Sequence, residues 1–134
     1  EPLDEEAAAQ FRAVFEREFE ILDRARQRMG AAVSDATVVL TNPTHFAVAL
    51  KYDGEKAPTI TATGTAELAE EIIRIAREHN VPLYENPELA SILARLELND
   101  EIPETLYRVV AEILAFAFNL QGRTPEDAGR PRED

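Results

Sequence analysis

The segment Asn42-Pro43-Thr44-His45 has the residue types, in the right order, to break the backbone that carries them. An asparagine ordinarily ages when the following backbone nitrogen attacks its side-chain carbonyl. Proline has no N–H, so Pro43 closes that route. The cyclisation that remains runs the other way: the side-chain nitrogen of Asn42 attacks its own backbone carbonyl carbon. A succinimide forms, the prolyl nitrogen leaves, and the chain is cut between Asn42 and Pro43. Held alignment accelerates such an intramolecular attack by orders of magnitude. The departing amine also needs a proton, which His45 or a bridging water can supply. Four residues recur by chance, however, and taken alone the segment reads more often as an inert polar turn.

Other chemistry finds little support. His45 and His79 stand far apart in sequence without Cys/His company, so no metal site is expected and no cofactor is implied. Ser34 and Ser91 lack a nucleophile-elbow context, and Gly64-Thr65 is too poor in glycine for a phosphate loop. The many carboxylates read as solvated helix faces. A small acidic hydrolase using a carboxylate pair is a reading from another class, but no pair is marked out by its context. With 26 acidic and 14 basic residues the net charge is −12, which disfavours nucleic acid as a partner. There is no cysteine, and 134 residues with 45% hydrophobic and 30% charged side chains suit one globular domain. No apolar run approaches a membrane span and no signal peptide opens the chain. Because it begins at Glu1 rather than Met, a fragment of a longer protein is expected.

The elements that must position Asn42 can be read from periodicity. Phe11, Phe15, Leu22, Ala25 and Met29 fall at helical spacing, Gly30 stands where a helix ends, and 31–35 reads as a linker. Residues 36–41 are β-branched and apolar on both faces, as in a central strand. After the Asn-Pro turn, residues 45–51 alternate, with Phe46, Val48 and Leu50 on one side and Ala47 and Ala49 on the other. A third strand over 58–63 precedes a helix capped by Thr65 and buried through Leu68, Ile72, Ile75 and Ala76. Residues 81–85 are extended, and the strand-helix-strand order suggests a crossover joining parallel neighbours. Asn86 reads as a cap, with Pro87 at the first position of a short helix to Leu96, and Ile102-Pro103 begins the last helix, closed by Gly122. The expected fold is α/β: a small central mixed four-stranded sheet flanked by helices, preceded by a long N-terminal linker helix. The expected division is a linker helix over 1–32, a domain over 33–120 and a disordered tail over 121–134, which has almost nothing to bury.

Three stretches carry a resemblance. Residues 38–52, Val81-Pro82-Leu83-Tyr84-Glu85-Asn86-Pro87-Glu88-Leu89-Ala90, and Ile102-Pro103-Glu104-Thr105-Leu106-Tyr107 with the following 110–115 resemble, in order and spacing, the cytoplasmic domain of the type III export-apparatus switch protein family. The likeness runs over about 33–120 and is nearer the flagellar branch than the injectisome one. It implies a membrane protein whose soluble part lies at the cytoplasmic face of the bacterial inner membrane and cleaves itself once at the Asn-Pro bond. Such a domain is an asparagine peptide lyase acting on itself, not a turnover enzyme. The resemblance implies that Asn42 cyclises, that Pro43 becomes a new N-terminus, and that Thr44 and His45 support the turn. It also implies that the cut pieces stay associated, that export substrates and other apparatus proteins are the partners, and that cleavage switches export from early to late substrates. A non-processing adaptor of the same fold is the alternative.

The chain departs from the family pattern in places. Asp4, Glu5, Glu6, Glu16, Glu18, Glu20 and Asp23 make the linker helix acidic where relatives are typically basic. Thr63 stands where relatives often have a lysine before the glycine, and Ser91 interrupts a Pro-Leu-Ala-Arg pattern. These positions bear on charge-based docking and leave the Asn-Pro segment untouched.

Overall fold

The computed structural model describes residues 2–42 and 45–132. Helix α1 (Pro2–Ser34) leads into the hairpin strands β1 (Val38–Asn42) and β2 (Phe46–Lys51), followed by β3 (Thr59–Thr65). Helix α2 (Glu67–Glu78), strand β4 (Leu83–Glu85), helix α3 (Pro87–Leu93) and helix α4 (Tyr107–Leu120) complete the domain. The sheet order is β3-β2-β1-β4, antiparallel except for the parallel β1–β4 pair. The mixed four-stranded sheet, its flanking helices and the long leading helix are as the sequence predicts.

Alternation along the strands builds two cores. Val38, Leu40, Val48 and Leu50 point to one face, where Leu89, Leu93, Val110 and Ile113 of α3 and α4 cover them. Val39, Ala47 and Ala49 point to the other, where Ile72, Ile75 and Ala76 of α2 pack together with Val33 from the end of α1. The small alanines of β2 let α2 lie close to the sheet. Gly64 serves the same approach: a Cβ there would stand 2.9 Å from both Ile72 Cδ1 and Leu68 Cγ.

Several expectations change under tertiary packing. Helix α1 runs through Gly30 to Ser34, because one side of its last turn packs on the domain: Val33 is fully enclosed and Gly30 faces Ile75 of α2. That packing outweighs the roughly 1 kcal/mol that a mid-helix glycine costs. Strand β3 continues to Thr65, so Ala66 at φ 51 makes the strand-to-helix turn and Thr65 caps nothing. Leu68 stays 40% exposed and Ala69 takes its place in the buried stripe. Strands β3 and β4 lie on opposite edges of the sheet: the crossover through α2 passes over β2 and β1, and β4 pairs with β1. Asn86 does cap α3, its side chain accepting from the Leu89 N–H at 3.1 Å, and α4 begins with a 3-10 turn at Glu104–Leu106.

The segment expected as a disordered tail also differs. Residues 121–132 carry a 3-10 turn at Pro125–Asp127 and lie against the domain through hydrogen bonds from Gln121 to the Asn80 carbonyl and from Arg132 to the Ala36 carbonyl, while 133 and 134 fall outside the described residues. The composition argument counts apolar side chains, and this segment is instead held by arginine donors and close glycine contacts. At the other end, residues 4–24 of α1 are all exposed.

Candidate functional site

Asn42 is the last residue of β1 and lies opposite Phe46, the first residue of β2. Pro43 and Thr44 lie outside the described residues, so the loop is known by its two ends. The backbone N–H of His45 donates to the Asn42 carbonyl oxygen at 3.0 Å. That carbonyl belongs to the bond that cyclisation would break. Asn42 itself is half-buried, on the strand face that also carries Val38 and Leu40, whereas His45 is exposed, with its ring 6.2 Å from that of Phe46.

Three restraints hold these ends. The His45 carbonyl accepts from the Ala66 N–H at 3.3 Å, which ties the loop to the β3–α2 turn. The Thr41 carbonyl accepts from the Asn86 N–H at 3.0 Å, which ties the end of β1 to the start of α3. The ladder of β1 and β2 supplies the third restraint, in unbroken register from Val38↔Leu50 to Asn42↔Phe46. A backbone fixed from three sides is what an intramolecular attack requires, because its advantage is alignment. A backbone N–H aimed at the carbonyl oxygen also favours the negative charge that develops there during attack.

His79 takes no part in this loop. It follows α2 and its carbonyl accepts from Arg132. Among the described residues no group of His, Cys, Asp or Glu side chains could hold a metal ion, and no helix is long and apolar enough to cross a membrane.

A feature that sequence reasoning did not locate is an apolar groove of about 960 Å³ between α4 and the β2–β3 connection. Ala57, Pro58, Ile102, Val110, Leu114 and Phe118 line it, and Glu55, Lys56 and Arg123 stand among its lining residues. Its signal was the excess of apolar side chains on α4, where Tyr107 and Phe116 are about half exposed at 47% each. One helix stripe cannot bury that many, so part of the helix is left to face a cleft.

Comparison with known proteins bears on this arrangement. The profile described as the FlhB HrpN YscU SpaS Family matches residues 16–117. The chain belongs to that family. It is 46% identical over 102 residues to the flagellar biosynthetic protein FlhB of Bacillus subtilis (strain 168), covering 74% of this chain and 28% of that protein. It is 47% identical over 100 residues to FlhB of Yersinia enterocolitica, covering 72% of this chain and 26% of that protein. The chain thus spans a little over a quarter of the length of these curated FlhB relatives. Among solved structures, the cytoplasmic domain of FlhB from Shewanella putrefaciens superposes with a TM-score of 0.67 at 38% identity, over 81% of this chain and 83% of that one. The EscU C-terminal domain with an asparagine-to-aspartate mutation superposes at 0.63 with 29% identity, over 66% of this chain and 98% of that one. The same EscU domain has also been solved with a proline-to-alanine mutation, at a TM-score of 0.62 and 28% identity, over 66% of this chain and 90% of that one. Membership of the FlhB HrpN YscU SpaS family makes the chain part of a type III export-apparatus component.

Proposed function

We propose that residues 33–120 form the cytoplasmic switch domain of a flagellar-type export protein, at the inner face of the bacterial inner membrane, which cuts itself once at Asn42–Pro43. The observation that carries this reading is the hydrogen bond from the His45 N–H to the Asn42 carbonyl, at the end of a strand held on three sides. The side-chain nitrogen of Asn42 adds to that carbonyl carbon and the oxygen takes up negative charge against the His45 amide. The bond to Pro43 then breaks, the nitrogen of Asn42 gives up a proton, and the prolyl nitrogen gains one. A water or the His45 imidazole relays it. Once cut, the covalent link between β1 and β2 is gone while their ladder remains, so the loop ends gain freedom without loss of the fold. That change is what alters the choice of export substrate. The groove beside α4 suits apolar side chains of a partly unfolded substrate. In support, EscU has been solved with mutations at an asparagine and at a proline.

The test is the chain itself. Freshly refolded protein should yield fragments of 42 and 92 residues on a denaturing gel. A chain that stays whole under every condition makes it a non-processing adaptor of the same fold. The His45→Ala variant should cut more slowly but still cut. Its backbone N–H still meets the Asn42 carbonyl, and only proton transfer by the imidazole is lost, at a cost of about a hundredfold in rate. A time course beside wild type, with circular dichroism confirming that both are folded, reads this directly. Equal rates would leave His45 as a turn residue, and complete loss would make the imidazole indispensable.

A further inference from the structure

We propose that residues 121–132 form a strap that caps and holds the base of α1, with Arg132 as its clasp. A helix ends in carbonyls without intrahelical donors and with partial negative charge, which a nearby cation or donor satisfies. Helix α1 has no basic residue in its last turn. Arg132, 98 residues further along the chain, supplies one: its guanidinium donates to the carbonyls of Ser34 and, at 2.6 Å, of Ala36. The same guanidinium reaches the His79 carbonyl at 3.4 Å, just past α2, and Gln121 Nε2 donates to the Asn80 carbonyl at 3.1 Å. Two adjoining helix ends are therefore finished by the same segment.

The path between these contacts is built to match. Arg123 lies over the Phe118 ring, 4.7 Å from its centroid, and donates to the carbonyls of Asp127 at 2.8 Å and Arg130 at 2.9 Å. The Thr124 N–H donates to the Asp127 carboxylate at 2.9 Å, and the Asp127 N–H donates to the Thr124 carbonyl at 2.8 Å, which closes the 3-10 turn. Gly129, at φ 86, comes so near the β2–β3 turn that a Cβ would lie 2.7 Å from the Asp53 carbonyl oxygen. Gly54, at φ 88, faces Ala128 from the other side, where its own Cβ would stand 3.2 Å from that of Ala128. Both positions need glycine, for the positive φ and for the close approach.

The strap starts beside the apolar groove, which Thr124 and Pro125 border, and ends at the base of the exposed helix. No strap residue belongs to either apolar core, and a strap released beyond Arg123 leaves buried Phe118 covered, so it can leave without opening either core. Anything that draws 121–132 away would loosen α1 at its root and spare the sheet. This holds whether or not the chain is cut, because the N–H of Thr37, next to Ala36, donates to the Leu50 carbonyl on the far side of the loop at 2.8 Å.

Hydrogen exchange of the whole chain tests it, since the amides of Asp35 and Ala36 close the end of α1 onto Ala31 and Val33. Arg132→Ala, and a chain ending at Arg123, should exchange these two amides about tenfold faster or more, the value expected for losing hydrogen bonds from a charged donor. Leu40 and Val48 in the sheet should keep their rates. Arg132→Lys should lie between, and Arg108→Ala, which removes an equal charge from the exposed face of α4, should change nothing. Unaltered exchange at Asp35 and Ala36, or acceleration spread evenly through the sheet, would overturn the strap.

Discussion

Asn42→Ala should abolish cleavage while the fold stays intact. Alanine has no side-chain nitrogen, so the attacking group is gone and no alignment replaces it. The structural cost is small, because the backbone of residue 42 keeps its pairing with Phe46 and its bond from the His45 N–H. What is lost is a half-buried polar side chain and its local hydrogen bonding, worth about 1 kcal/mol. Thermal unfolding should therefore shift by a few degrees at most, since 1 kcal/mol moves a domain of this size by roughly 4 °C. Mass spectrometry of the purified variant reads the result. A fragment beginning at Pro43 in Asn42→Ala would show that some other group breaks the bond.

The second large effect concerns the cut chain. The piece ending at Asn42 contributes β1, and β1 is an interior strand, between β2 and β4. Val33, Val38, Val39 and Leu40 on that piece are all fully buried, in both cores. Separating the pieces would expose these four side chains, at roughly 1.5–3 kcal/mol each, and would leave two strand edges unpaired. The two pieces should therefore elute together from a native sizing column and part only in denaturant. Leu40→Ala, costing about 2–5 kcal/mol at such a site, should lower the denaturant concentration at which they part. Separate elution of the smaller wild-type piece without denaturant would sink this expectation.

How far the molecule was legible differs from element to element. The hairpin was plain because β-branched and alternating residues flank an Asn-Pro turn, a local pattern of period two. The cap at Asn86 was equally plain, since its partner, the Leu89 N–H, lies three residues away. The end of α1 was misplaced because Gly30 is a sound local stop signal, and only Val33 entering the α2-side core overrides it. The pairing of β4 with β1 rather than β3 was hidden for the same reason: strand-helix-strand order sets direction and leaves open which strand is the neighbour.

The same division runs through the functional parts. The sequence alone determined the chemistry available to the chain: an amide nitrogen, its own carbonyl and a proline that blocks the competing route are all contained in neighbouring residues. It likewise determined the elements, because helix and strand periodicities are properties of short windows. The tertiary structure decided which groups those elements bring to the loop, namely the Ala66 N–H on the His45 carbonyl and the Asn86 N–H on the Thr41 carbonyl. It decided the groove, which needs α4 and the β2–β3 connection face to face, and the strap, in which Arg132 finishes a helix ending 98 residues earlier. Contacts over such separations leave no periodicity in the chain. They arise only when burial of the two cores fixes where the ends of the elements meet.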